Sequence, residues 1–188
     1  MLRHLCAALL AGACAAAQAG DTWTFTYTGF HDTGDDVFLP DHQLHGSFTG
    51  ADGNGDGILE RLEITSLILN GKDFVACEPD SNLYYRCGAE AFSYSLAGGL
   101  SFKAGEHGSD PEGWVGGGHY YISGDGEYTY SYRPSHDEQR AWLWTDRTGL
   151  VVASPNPEPE TWAMLAAGLA MTAWAARRRA PHRAPGQD

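Results

Sequence analysis

The sequence predicts an all-β fold, a sandwich or jelly-roll-like domain, on two observations. Apolar and polar residues alternate with a period of two, and glycine-rich turns cut that alternation into short runs. In TWTFTYT, Trp23, Phe25 and Tyr27 fall on one face and threonines on the other, the pattern of a half-buried strand. The same period recurs at Phe92, Tyr94 and Leu96, at Leu100, Phe102 and Ala104, at Tyr128, Tyr130 and Tyr132, and at Trp142 and Trp144. EITSLILNG continues it after residue 62. Gly98-Gly99, Ser123-Gly124-Asp125-Gly126 and Asp146-Arg147-Thr148-Gly149 supply turns, the last between two strands expected to pair as a hairpin. GSDPEGWVGGGH has no phosphate-loop spacing and is expected to be an irregular loop.

Residues 52–63, DGNGDGILERLE, carry the spacing of an EF-hand loop. Asp52, Asn54 and Asp56 occupy positions 1, 3 and 5, Gly57 takes the turn at 6, Ile58 offers its carbonyl at 7, and Glu60 and Glu63 fill 9 and 12. The incoming flank LHGSFTGA is strand-like where an EF-hand needs a helix, only residues 59–62 suggest a helical turn on the far side, and there is no second copy. Two readings stand: a structural calcium site, and an acidic surface turn without metal. Four carboxylates in twelve residues repel one another until a divalent ion neutralises them, which favours calcium. Gly53 and Gly55 add unfolded-state entropy and push its affinity toward the weak range of extracellular modules.

The two ends speak of export. Residues 1–19 pair a basic start at Arg3 with an apolar run and an Ala17-Gln18-Ala19 close, the pattern of a secretory signal peptide. At the other end a Pro-rich linker (154–161) precedes an apolar run (162–176), then Arg177, Arg178 and Arg179 open a basic tail (177–188). A helix over 162–176 spans roughly 22 Å against a hydrocarbon core of about 30 Å, and snorkelling arginines and interfacial Trp162 and Trp174 offset the shortfall. A soluble helix needs a polar stripe, and Thr172 is the one polar residue within this run. Pro157-Glu158-Pro159, an apolar helix and an arginine cluster at the end of a secreted chain resemble the PEP-CTERM sorting signal of Gram-negative bacteria. The resemblance implies that exosortase, a membrane-embedded cysteine transpeptidase, cuts near Pro157, Glu158 and Pro159 and delivers the product to the envelope or exopolysaccharide matrix. Asn156 and the nine residues after the arginines depart from the family pattern. The likeness gives a route and no activity.

Without its ends the chain keeps about 140 residues, enough for one domain with a full core. Residues 20–160 hold 23 Asp or Glu against 7 Lys or Arg, a net charge of −16. That surface argues against nucleic acid and anionic membranes, and for solubility and multivalent cations. Cys77 and Cys87 remain after loss of the signal peptide; no further Cys or nearby His completes a zinc set, and an oxidising compartment favours their disulfide.

No enzyme is expected. There is no G-x-S-x-G or H-E-x-x-H, and a glycosidase-like carboxylate pair drawn from so many acids carries no information. His31, His42, His45 and Asp41 suggest zinc by proximity, but on a strand the i, i+3 pair faces opposite ways, so loop histidines are expected. Tyr120, Tyr121, Tyr128, Tyr130, Tyr132, Trp142 and Trp144 cluster in the last third. Alternate aromatics form cores. The functional alternative is a carbohydrate-binding module for exopolysaccharide, with Tyr121 as an exposed anchor.

Overall fold

The computed structural model describes residues 20–95, 98–153 and 165–172. The signal peptide expected over 1–19 lies outside them. The chain divides after Ser154 into two compact units. The second contributes a helix over 165–172, whose Leu165, Leu169 and Met171 are exposed.

The first unit is antiparallel β throughout. Its strands are β1 (Asp21–Asp32), β2 (Val37–Gly50), β3 (Ile58–Glu60), β4 (Ile64–Leu69), β5 (Lys72–Asp73), β6 (Tyr85–Ser95), β7 (Leu100–Ser109), β8 (Gly116–Ile122), β9 (Gly126–Arg133), β10 (His136–Leu143) and β11 (Gly149–Ala153). Arg61–Glu63 and Glu78–Asp80 are single 3-10 turns. The sheet runs β3-β6-β7-β8-β9-β10-β1-β2-β4-β5, with β11 on β1. Strands β6 to β10 are sequential neighbours, so this half is a meander without Greek-key crossings.

The sheet curls so that its halves face each other, consistent with a sandwich. From one half come Trp23, Phe25, Tyr27, Leu44, Phe48 and Leu67; from the other come Leu59, Phe92, Tyr94, Leu100 and Phe102, all buried. Phe48 meets Phe92 and Tyr94, each at 4.9 Å between ring centres, and Phe25 meets Phe102 at 5.6 Å. Trp23, Phe25, Tyr27, Phe92, Tyr94, Leu100 and Phe102 are inward positions that the two-residue period predicts, whereas Leu59, expected to open a helical turn over 59–62, is in β3 and the turn begins at Arg61. Aromatic pairs at such spacings add to area burial. Phe25 lies flat across Gly46, where a Cβ would come within 2.2 Å of the ring, so this glycine is required by close packing.

Two expectations fail here. Strands β10 and β11 do not pair as a hairpin; both line β1, with β10 at His31 and Asp32 and β11 from Thr24 to Thr28. The changeover falls at the β1 bulge between Thr28 and Phe30, where the Thr148 hydroxyl donates to the Gly29 carbonyl at 2.6 Å. A bulge kinks the strand and interrupts its ladder, so one neighbour ends there and the next begins. Second, part of the expected irregular loop is ladder: Gly116, Gly117 and Gly118 open β8. Tyr130 and Tyr132 lie across the sheet so closely that a Cβ at Gly118 would sit 2.6 Å from the Tyr130 ring and one at Gly116 would sit 2.4 Å from the Tyr132 hydroxyl. The glycines are strand residues that make room for tyrosines.

Candidate functional site

The loop at 52–63 is built on its own backbone. Asp52 accepts from the N–H groups of Gly55 at 2.7 Å and Gly57 at 2.9 Å. Asn54 accepts from Asp56 N–H at 2.9 Å, and Asp56 from Ile58 N–H at 2.8 Å. Glu63 closes the turn with both oxygens, accepting from Gly53 N–H and Glu60 N–H, each at 3.0 Å. Gly57 has φ +81°, the left-handed geometry that position 6 demands. The side chains at positions 1, 3, 5 and 12 thus turn onto the loop. Glu60, at position 9, begins the 3-10 turn as its cap. Ile58 is in β3.

The loop's place in the fold is informative. It leaves β2 at one half of the sheet, pairs through β3 with Ser93, Tyr94 and Ser95 of β6 at the other, then returns to β4 beside β2. Ala51 N–H donates to the Glu63 carbonyl at 3.1 Å, so entry and exit are tied together. Among the described residues no three His, Cys, Asp or Glu side chains converge as a metal-holding group. The side chains of Asp52, Asn54, Asp56, Glu60 and Glu63 carry carboxylate and amide oxygens, the hard donor class that calcium takes.

Cys77 and Cys87 form a disulfide with their Cα atoms 5.7 Å apart. It pins the 3-10 turn at Glu78–Asp80 to β6. Closing this loop stabilises by about 3 kcal/mol in the chain-entropy picture. Arg61, from the calcium-like loop, bonds to Glu78 and donates to the Ala89 carbonyl at 2.8 Å, so loop, turn and β6 form one connected edge.

Pro157, Glu158, Pro159, Arg177, Arg178 and Arg179 lie outside the described residues, as do residues 162–164 and 173–176 of the expected 162–176 span. Among the described residues no helix is long and apolar enough to cross a membrane.

Histidines 42 and 45 are on β2 and not in a loop. Their side chains take opposite faces: His42 stacks on Trp142 at 5.4 Å, and His45 meets Thr26 at 3.2 Å. Tyr121 is 1% exposed, packed against Phe74, and cannot be an external anchor. Burial and the nearby Glu127 carboxylate push its hydroxyl pKa up. Alternation puts its neighbour Tyr120 on the outer face, stacked on Tyr128 at 4.8 Å and edge-on to Tyr130 at 6.5 Å.

Sequence reading missed three polar contacts along the inner faces. Asp32, 1% exposed, takes Arg140, and that bond holds its carboxyl below the usual range. Lys72 on β5 bonds to Glu106 on β7, and Tyr85 donates to the same carboxylate at 2.5 Å. Burial works to raise the Glu106 pKa, but these two donors outweigh it and the net direction is down. His119 meets the buried Glu127 at 2.7 Å. Their partners are 34, 21 and 8 residues apart within the second and third sets and 108 within the first, so no local motif announces them.

No family model, curated protein or solved structure matches this chain.

Proposed function

We propose that this chain is an exported envelope or extracellular-matrix protein whose β domain is structural or adhesive, with calcium in the 52–63 loop acting as a staple and exosortase processing the C-terminal segment. The observation that carries this reading is the position of the loop. Asp52, Asn54, Asp56 and Glu63 turn onto a segment that connects the two halves of the sheet at β3 and β4. A cation there stabilises the join between the halves. With one copy, a strand on the incoming side and a short 3-10 turn on the other, the loop has no helix pair to open, which favours a static role.

A thermal melt of the full chain tests the metal. At 10 mM calcium and an affinity of about 1 mM, binding adds about 1.4 kcal/mol, a rise in Tm of about 3 to 6 °C. Asp56→Ala is expected to abolish the rise. A melt that calcium leaves unchanged, in the parent chain at millimolar concentration, removes the ion from the reading. For sorting, the intact mass of the envelope-associated protein from a strain with exosortase is expected to fall short of a chain ending at Asp188; a full-length C-terminus would contradict processing.

The outer tyrosine row favours a second reading, a carbohydrate-binding module. Tyr120, Tyr128 and Tyr130 are half-buried on one face, fixed by mutual ring contacts. Rigid amphipathic rings of this kind suit sugar faces. A secreted hydrolase is the weaker option, for want of a G-x-S-x-G or H-E-x-x-H motif.

A further inference from the structure

We propose that the groove on the outer face of β6 to β9 binds a carboxylated saccharide, with Arg86 taking a uronate carboxylate and Tyr120 and Tyr130 taking the sugar ring. The proposal rests on the carbohydrate-binding reading and supplies its site and ligand class. The groove encloses about 580 Å³, within the range of small-ligand sites. Its floor is the cross-strand pair Gly88 and Gly105. Neither tolerates a side chain: a Cβ at Gly105 would lie 2.4 Å from the Tyr120 Cβ, and one at Gly88 would lie 2.8 Å from the Glu78 Cγ. Tyr120 and Tyr130 form one wall, and Arg86, His107 and Lys103 present polar groups beside the floor.

Charge selects the ligand. The acids lining the groove are already engaged: Glu90 with Lys103 at 2.6 Å and Glu78 with Arg61, while the Glu106 side chain turns to the inner face and Lys72. Arg86 is not. It stands across the ladder from His107, exposed, and among the described residues it holds no carboxylate. In a domain with 23 acids to 7 bases, most cations find a partner; Arg140 holds two, and Arg147 lies over the Phe38 ring. The charge left over at the groove after pairing is one guanidinium, whose planar fork matches a carboxylate. A densely charged polyanion is repelled by the surrounding −16, whereas a saccharide carrying a single carboxylate places that charge at Arg86 and lays its apolar face on the tyrosines. Tyr120 is held by its stack on Tyr128, and Tyr130 lies across Gly118, so the rings are ordered before any ligand arrives.

Calorimetry with the full chain in EDTA tests this, using a neutral xylo-oligosaccharide that bears a single glucuronic acid residue and the same oligosaccharide with that carboxylate methyl-esterified. The acid form is expected to bind at least about tenfold more tightly, the size of one charge-assisted hydrogen bond. Arg86→Gln is expected to remove that preference while leaving the esterified form's affinity unchanged, and Tyr130→Ala to weaken both, with Tm recorded for each variant. Equal binding of the two forms by the parent chain, or a preference that survives Arg86→Gln, overturns the carboxylate assignment and leaves the carbohydrate reading standing. Binding of neither form at millimolar concentration overturns both.

Discussion

Phe48→Ala is expected to cost about 4 kcal/mol of stability. The ring is fully buried and touches aromatic side chains from both halves of the sheet: Trp23 at 5.2 Å and Phe25 at 6.2 Å on its own side, Phe92 and Tyr94 at 4.9 Å across the core. Its removal leaves a cavity bordered by rings on pinned strands, which cannot collapse to fill it. Domains of this size have about 5 to 15 kcal/mol in all, so one substitution removes a large share. Urea denaturation measures it, with Val151→Ala as the control, since that side chain is 70% exposed and its loss is expected to stay within about 0.5 kcal/mol. A cost for Phe48→Ala below 1 kcal/mol would mean that the halves do not meet at this residue.

Alkali is expected to unfold the domain through its interior tyrosines. Burial pushes the Tyr27 hydroxyl pKa up to about 12, from an ordinary 10, and raises Tyr121 as well. Below pH 10 both the folded and the unfolded chain keep these protons, and the tyrosines contribute no pH dependence. Above pH 10 the unfolded chain releases them while the folded chain holds them. Unfolding is then coupled to proton loss, and stability falls by up to about 1.4 kcal/mol per pH unit for each tyrosine until its folded-state value is reached. Denaturation midpoints between pH 9 and 12 report the slope. Tyr27→Phe is expected to flatten it, because the hydroxyl's only hydrogen bond among the described residues, to the Leu100 carbonyl, is a long 3.5 Å. An unchanged slope in that variant would show that Tyr27 ionises as freely in the fold as outside it.

The strands were legible because their faces differ in chemistry. Trp23, Phe25 and Tyr27 against four threonines admit one orientation, and they are buried as the alternation requires. Tyr120 and Tyr121 carry the same side chain, so sequence cannot say which is inside; that is decided by register, which pairs Tyr121 with Ala104 on the core face and Tyr120 with Gly105 outside. The glycines at 116–118 look like a loop because their role is negative space, visible only once Tyr130 and Tyr132 are laid over them. The spacing in the calcium-like loop was fully legible, since its bonds are local. Its bridging position was not, because the pairing of Leu59 with Tyr94 joins residues far apart in the chain. Arg86 drew no attention in the sequence for a similar reason: an arginine is conspicuous here only after its neighbours have been assigned their partners.

The pairing of β11 with β1 also sets how the domain carries tension. Ala153 lies opposite Thr24 and Gly149 opposite Thr28, so the last strand ends beside the start of the first. A pull applied at Ala153 against the beginning of β1 loads the ladder at one end, and its bonds break in succession like a zip, whereas a shearing pull would load them together. Under such a pull β11 yields first, and its release leaves the aromatic core of Phe48 and its neighbours closed. A domain tethered through its C-terminal side would lengthen by one strand under load before it unfolds.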